Sequence, residues 1–403
     1  MVICAISAWT IGSPGQIMVR ALESASRRGH EVHVFAQKRD GYDASWIPNY
    51  HRVGSELGLK IHVRLANDTG LHGCFSFFST LRLIRELERI NPDVIHLHNL
   101  HGWFLNLPLF FRWIKKRKKR VIWTLHDCWS FTGHCPHFIA EHCDRWMTGC
   151  YTCPRYREYP ASRVDQSRLM WKVKRRCFTG VEDLTIVTPS AWLAALVKRS
   201  FLKQYPVRVI HNGIDLGVFK PTQSSFRQKH NLEGKHLILG VSFAWGYKKG
   251  LDVFLELRQK LDESHAIVLV GFDGNEMSEN GIVVIPKTDS KEELAEIYSA
   301  ADVFVNPTRE DNFPTVNMEA LACGTPVITF PTGGSPEIID ETCGIVTKAA
   351  TSDAILEAIH HMRTDGDRYT EDACRNRAKR FNQNACYDAY AALYEEEVKN
   401  AGK

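Results

Sequence analysis

At 403 residues, 44% hydrophobic and 24% charged, the chain is too long for one hydrophobic core and suits two soluble domains. Its formal net charge of +5 comes without a nucleic-acid-binding motif, so nucleic acid is not an expected partner. The longest nearly apolar run, 103–111, falls far short of the roughly 20 residues a membrane-spanning helix needs.

Residues 2–8 read as a buried strand and not a signal peptide, because the start MVICAISAW lacks a basic n-region and a small-residue cleavage site. A cytoplasmic protein is therefore expected. The turn Thr10-Ile11-Gly12-Ser13-Pro14-Gly15 opens a helix over 16–28, and Gly12 and Gly15 would let a ligand approach the backbone. Residues 29–35 close a right-handed strand, helix, strand unit. The polar stretch 36–74 reads as irregular and is the expected place for part of an acceptor site. A helix over 75–90 leads to a strand over 92–97, which ends in His96, His98, Asn99 and His101. Alternate positions on a strand share a face, so these histidines read as lining at a carboxyl strand end and not as a metal centre.

The stretch 103–120 is apolar and aromatic first, then carries Arg112, Lys115, Lys116, Arg117, Lys118, Lys119 and Arg120. It reads either as a core helix followed by a solvated loop or as a patch for an anionic membrane surface, where each charge adds about 1 kcal/mol. The membrane reading is favoured for an enzyme whose acceptor is anchored on a lipid. A strand over 121–125 ends in His126 and Asp127, where a histidine reads either as a buried hydrogen-bonding residue or as a cleft-facing catalytic one. Asp127 would orient that histidine or touch an acceptor.

The segment 128–153 holds Cys135, Cys143, Cys150 and Cys153, and its final C-x-x-C is the usual spacing for half of a tetrahedral zinc site. Four thiolates would close a structural zinc site, with His134, His137 or His142 as substitutes; ordinary free, buried cysteines are the plainer reading. Further elements are a helix over 169–177, a strand over 184–188, a helix over 189–201 and a strand over 207–210. His211-Asn212-Gly213-Ile214-Asp215 then reads as the hinge between domains.

The second domain begins near Gly234 with a strand over 236–243, a loop over 244–249 and a helix over 250–261. Lys248 and Lys249 stand before that helix, where an ammonium can neutralise a phosphate. Strands over 266–270 and 281–286 and a helix over 290–300 follow. A strand over 302–306 then runs through a polar turn into a helix over 315–323. The first turn of that helix can hold an anion, and Phe313, Pro314 and Thr315 sit there. Asp311 before the corner and Glu319 inside the helix can face one pocket, as a nucleotide sugar with hydroxyls on both sides of its diphosphate would require. A capping aspartate and a solvated glutamate are the plainer alternative. A last helix over about 384–399 carries Tyr387, Tyr390, Leu393 and Tyr394 as packing residues.

Asp311, seven intervening residues, Glu319 and then A-L-A-C-G-T-P-V resembles the donor-site signature of glycosyltransferase family 4, the retaining GT-B enzymes. That family usually has Glu at the first position and Gly in the turn; here Asp311 and Pro314 stand there, with Glu310 immediately before. Lys249-Gly250 matches the family's Lys-Gly, while its upstream Arg is missing from Ser242-Phe243-Ala244-Trp245. The H-D-C-W-S-F-T-G-H-C and G-C-x-x-C-P pattern resembles the branch that builds colanic-acid-like exopolysaccharides.

The resemblance implies an α/β GT-B fold of two doubly wound, Rossmann-like domains facing a cleft. The domains would be 1–205 on the acceptor side, a linker 206–233, a nucleotide-sugar domain 234–380, and a C-terminal helix 381–403 crossing back to the first domain. It implies Lys249, aided by Lys248 and the corner 313–315, on the donor diphosphate, with Gly12 and Gly15 facing it. Glu319 would bind the ribose, Asp311 the sugar hydroxyls and His126 the sugar's reacting side, and backbone at 284–287 would hold the base. The implied reaction is retaining transfer of a hexose from a nucleoside-diphosphate sugar to a lipid-linked polysaccharide intermediate, with no metal required for catalysis. Such a protein would sit in the cytoplasm, peripheral on the inner face of the plasma membrane. A nucleotide-sugar epimerase and a non-catalytic nucleotide-binding scaffold are the rival readings.

Overall fold

A computed structural model of the chain describes residues 1–37, 49–272 and 281–400. Part of the acceptor stretch read from the sequence, 38–48, and Asp273 lie outside the described residues. The chain divides into two compact units, Met1–Ile210 with Cys386–Lys403, and His211–Ala385. The division falls inside the segment read as a linker, and residues 211–233 belong to the second unit.

The first unit comprises β1 (Val2–Ser7), α1 (Gly12–Arg27), β2 (Glu31–Ala36), β3 (Tyr50–Arg52), α2 (Glu56–Thr69), α3 (Phe77–Ile90), β4 (Val94–Leu97), α4 (Leu107–Arg117), β5 (Val121–Thr124), α5 (Ser167–Phe178), β6 (Leu184–Thr188), α6 (Ala191–Arg199) and β7 (Val207–Val209). Its seven strands form one sheet in the order β3-β2-β1-β4-β5-β6-β7, with every pair parallel. Parallel strands need crossover helices, and these cover both sheet faces, which is why β1 reads as a continuous apolar run. Cys4 and Ile6 point into one core with Phe110, Trp123 and Phe178, and Ile3 and Ala5 into another with Met18, Leu22 and Val34. That second core also receives Tyr387, Tyr390, Leu393 and Tyr394.

The second unit comprises α7 (Phe226–Lys229), β8 (His236–Val241), α8 (Leu251–Lys260), β9 (His265–Val270), β10 (Ile282–Ile285), α9 (Lys291–Ala300), β11 (Val303–Asn306), α10 (Thr315–Ala322), β12 (Val327–Thr329), α11 (Ser335–Ile338), β13 (Gly344–Val346), α12 (Ser352–Thr364) and α13 (Glu371–Ala378). Its sheet runs β10-β9-β8-β11-β12-β13, again parallel throughout. The final helix, α14 (Gln383–Asn400), begins in this unit, and from Cys386 onward it belongs to the first. Both sheets reverse their winding direction at an interior pair, β1/β4 in the first and β8/β11 in the second. At such a switch point two neighbouring loops diverge and leave a crevice at the carboxyl ends of the strands.

The stretch 36–74 is more regular than its composition suggests. It contains β3 and the fourteen-residue α2, with Ser55 accepting a hydrogen bond from the Gly58 N–H at one end and Gly70 in the left-handed region, φ 73°, at the other. Only His62 and Ala66 of α2 are buried, while Leu57, Ile61 and Leu65 are exposed, so no core-facing apolar stripe marks this helix in the sequence.

His62, His72, His96 and His134 are among the buried histidines of the first unit. Burial pulls their pKa values down to about 4, 3, 3 and 4. Unfolded, each would titrate near ~6.5. Between the folded and unfolded values the unfolded chain binds more protons, so the stability present above pH ~6.5 is lost as pH falls toward about 4. Each histidine that stays neutral adds a slope of about 1.4 kcal/mol per pH unit. Denaturant midpoints measured from pH 7.5 down to 4.5 are expected to fall steeply, and His72→Leu should flatten the slope by about one proton.

Candidate active site

The crevice of the second unit lies between the loops that follow β8 and β11. The first loop ends in a single helical turn, Tyr247–Lys249, and enters α8 through Gly250 at φ 74°. The second passes through Arg309, Asp311 and Phe313 into α10. Arg309 joins them: its two terminal nitrogens donate to the two carboxylate oxygens of Asp252, at 2.8 Å each. Its guanidinium also lies 4.1 Å from the Tyr247 ring centre and donates to the Tyr247 carbonyl at 2.7 Å. The Arg309 N–H donates to the Lys248 carbonyl at 2.8 Å, and Thr308 Oγ1 to the same carbonyl at 3.3 Å.

On that staple Lys249 Nζ donates to Asp311 Oδ2 at 2.8 Å, and Lys248 Nζ lies 3.7 Å from the buried Glu310 carboxylate. Side-chain exposures of 37% and 23% leave the Lys249–Asp311 pair in reach of solvent, so it contributes about 0–1 kcal/mol to stability and an incoming anion can displace the carboxylate. Asp311 Oδ1 also accepts from the Phe313 N–H at 3.3 Å. A β-carbon at Gly333, φ 58°, would collide with the Asp311 carbonyl, which makes glycine obligatory behind this loop.

Pro314 precedes α10 and no side chain caps its first turn. Pro314 brings no N–H, so the first-turn donors begin at Thr315. The Phe313 ring turns inward and stacks on His211, with centres 4.8 Å apart at 7°. This residue therefore offers its backbone and not its ring. One turn into α10, Glu319 accepts from Tyr298 Oη at 3.3 Å and is hydrogen-bonded to Thr315. Burial pushes the Glu319 carboxyl upward, and these two hydrogen bonds oppose the shift. The stretch 242–245 presents Phe243 to solvent, and Lys287, after β10, brings its ammonium to 5.6 Å from that ring. Tyr298 and Arg309 are site neighbours that sequence spacing did not single out, since each comes from a separate element, and Lys287, named only for its backbone, also brings its side chain there.

In the first unit Gly12, φ 71°, starts α1, and a β-carbon at Gly15 would collide with the Thr10 backbone. Strand β4 and the loops after β4 and β5 carry a chain of imidazoles. His126 Nε2 meets His98 Nδ1 at 2.9 Å, His98 Nε2 meets His96 Nδ1 at 3.3 Å, and His96 bonds Tyr394 Oη at 2.7 Å and Thr124 Oγ1 at 2.8 Å. Burial lowers the His126 pKa to about 4, against the opposing pull of Asp127, so the ring is neutral at pH 7. Asp127 pairs with His101 at 2.8 Å and accepts from the Trp129 N–H at 2.8 Å. Burial would raise the Asp127 pKa, but the His101 charge and hydrogen bond overcome it and bring the value to about 2. Asp127 thus bonds His101, which in turn bonds Tyr159 Oη at 2.9 Å.

Cys135, Cys143, Cys150 and Cys153 line one cavity of about 20 Å³. Cys135 and Cys153 are hydrogen-bonded, and Cys150 Sγ accepts from the Gly133 N–H at 3.2 Å. All four are free thiols, and among the described residues no group of three or more His, Cys, Asp or Glu is already disposed to hold a metal ion. Buried Lys174 donates to the Trp129 carbonyl at 2.7 Å and lies 3.6 Å from the Trp129 ring centre.

Comparison with known proteins covers both units. Residues 16–218 match the family model described as Glycosyltransferase Family 4, and residues 235–365 the one described as Glycosyl transferases group 1. The chain is 29% identical over 287 residues to the putative colanic acid biosynthesis glycosyl transferase WcaC of Escherichia coli K12, spanning 69% of each chain. It is 25% identical over 350 residues to the D-inositol 3-phosphate glycosyltransferase of Mycolicibacterium smegmatis, spanning 81% of this chain and 73% of that one. Among solved structures, sucrose-phosphate synthase from Thermosynechococcus elongatus superposes with a TM-score of 0.68 at 19% identity, covering 100% of both chains. Anabaena Alr3699/HepE in complex with UDP superposes with a TM-score of 0.68 at 14% identity, covering 98% of this chain and 99% of that one. The family model spans just over half of the 403 residues, and the sequence resemblance drawn from Asp311 and Glu319 is borne out: the chain belongs to glycosyltransferase family 4, has the GT-B fold and is a glycosyltransferase.

Proposed function

We propose that the protein is a retaining hexosyltransferase that takes its sugar from a nucleoside diphosphate and delivers it to a lipid-linked polysaccharide intermediate. The observation that carries this reading is the solvent-accessible Lys249–Asp311 pair at the uncapped start of α10. A diphosphate seated there takes the Lys249 ammonium and the first-turn amides of α10, with Lys248 beside them. Asp311 is released to the sugar hydroxyls. Charge on the departing diphosphate is then stabilised by fixed donors of the protein, and the reading asks for no divalent cation in that role. Glu319, held from behind by Tyr298, binds the ribose. Neutral His126 hydrogen-bonds the sugar on its reacting side. The acceptor oxygen bonds the anomeric carbon on the face from which the diphosphate leaves, and a phosphate oxygen takes the acceptor's proton. Complexes of HepE with UDP and with UDP-glucose make uridine donors the first to try, and likeness to WcaC supports an exopolysaccharide, capsule or O-antigen acceptor at the inner membrane face.

In a screen of UDP-, GDP- and dTDP-sugars with membranes as acceptor, acceptor-dependent nucleoside diphosphate release is expected. Lys249→Ala should lower transfer by about 10²–10³-fold. Isomerised donor without transfer would favour the epimerase, and donor binding with no turnover the scaffold.

Asp311→Ala separates binding from chemistry. Nucleoside diphosphate binding should be unchanged or tighter, because the competing carboxylate is gone, while kcat falls. Equal loss in both would remove Asp311 from the sugar.

The proposal includes a structural zinc on Cys135, Cys143, Cys150 and Cys153, for which the thiols would close onto the ion from the shared cavity. Elemental analysis should find about one zinc per chain, lost together with thermal stability in Cys150→Ser. Metal-free protein of unchanged stability would leave the cysteines as ordinary buried thiols.

A further inference from the structure

Helices α4 and α5 of the first unit border a groove of about 690 Å³, lined by Pro108, Arg112, Lys115, Val173, Arg176 and Cys177. The fold sorts the basic run 112–120 into two groups. Arg117 donates to Glu88 at 2.7 Å, Lys118 pairs with Glu182 at 3.0 Å, Lys119 donates to Asn91 Oδ1 at 2.8 Å, and Arg120 pairs with Asp183 at 2.9 Å. That half of the run is committed within the protein. Among the described residues, Arg112 and Arg176 make no ion pair with a carboxylate, and both are exposed at the groove. Lys115 closes the floor by donating to the Arg176 carbonyl at 2.8 Å. Burial first, and the Arg176 charge after it, hold the Lys115 ammonium below its ordinary range. Three cations thus share a groove with no carboxylate in its lining; Lys116 on α4 and Arg168 and Lys172 on α5 are exposed as well and, among the described residues, make no ion pair with a carboxylate.

We propose that this groove seats the phosphate headgroup of an anionic phospholipid, and that the face formed by α4 and α5 is the one the protein lays on a membrane. The cations match a phosphodiester, and the apolar walls Pro108, Val173 and Cys177 suit the glycerol and first acyl carbons above it. The volume lies in the range of sites for organic ligands and well above the needs of inorganic phosphate. No helix among the described residues is long and apolar enough to cross a membrane, so attachment of this kind is by the surface. The inference is independent of the donor chemistry and can be read without any sugar nucleotide.

The experiment is co-sedimentation of the full chain with vesicles of phosphatidylcholine alone or mixed with phosphatidylglycerol, at two salt concentrations. Binding should require phosphatidylglycerol and weaken with salt. Each near-surface charge is worth about fivefold in affinity, so Arg112→Ala with Arg176→Ala should lower binding by about 25-fold. Arg117→Ala with Lys118→Ala should lower it less than about threefold. The Arg176 substitution leaves the carbonyl that holds Lys115, and unchanged thermal unfolding serves as the control for folding. Equal loss in both double variants would mean diffuse charge and overturn the groove. Binding to phosphatidylcholine alone would overturn the headgroup. Saturable binding of inorganic phosphate, abolished by the groove variants and accompanied by no vesicle binding, would assign a soluble phosphate and overturn the membrane face.

Discussion

The 2.8 Å contact between Lys249 and Asp311 joins two loops that are far apart in sequence and exists because of how the second sheet is wound. Strands β8 and β11 are neighbours, yet the chain leaves β8 toward one edge and β11 toward the other. Their following loops must part, and the crevice between them is where side chains from both can meet. Left alone, two such loops would move independently and the ion pair would be worth little. The Arg309 guanidinium removes that freedom by bonding Asp252 with both terminal nitrogens while lying on Tyr247. A planar, bidentate donor fixes orientation as well as distance, which a lysine at 309 would not. The single-bonded pair is therefore held in place by a bidentate one behind it.

Glycine and proline set the rest of that corner. Gly333 lets its backbone pass against the Asp311 carbonyl, and Pro314 brings the chain into α10 with no side-chain cap. An uncapped first turn is a standing requirement for a hydrogen-bond acceptor. A basic side chain and orphan amides at one corner ask for the same thing, an anion, and they come from opposite sides of the switch point. Glu319 differs. Burial pushes its pKa up, and the hydrogen bonds from Thr315 and Tyr298, with the Lys291 charge after them, pull it back.

Much of this was legible in the chain. Continuous apolar strands alternating with amphipathic helices give the two parallel sheets, and the spacing of Asp311, Glu319 and Gly324 marks the loop, helix and stop of the second site. The missing parts share a physical reason. Helix α2 buries only His62 and Ala66, so its periodicity carried no core signal. The sequence places Phe313 at the helix start but does not say where its ring goes, and the ring stacks on His211 inside the unit. Asp127 follows His126 in sequence and bonds His101, because β5 has ended at Thr124 and the chain turns here, with Asp127 also accepting from the Trp129 N–H. Pairings of this sort depend on the register between strands, and one strand read alone does not contain it.

Charge shows the same limit most clearly. Read along the chain, Arg112 to Arg120 is one basic block of uniform meaning. In the fold, Glu88 arrives from α3, and Glu182 and Asp183 from the turn before β6, and together they neutralise the block's far end. The near end faces α5, which contributes Arg168, Lys172 and Arg176 and no acid among its described residues. Net charge is the same under both descriptions, yet the field differs, since paired charges cancel within a few ångströms and unpaired ones reach about a Debye length, ~8–10 Å. A surface that attracts an anionic partner is therefore built at least as much by where the acids are absent as by where the bases are dense. On this chain the two criteria select different halves of one helix and its loop, and only the half bordered by α5 combines open cations with a groove to receive them.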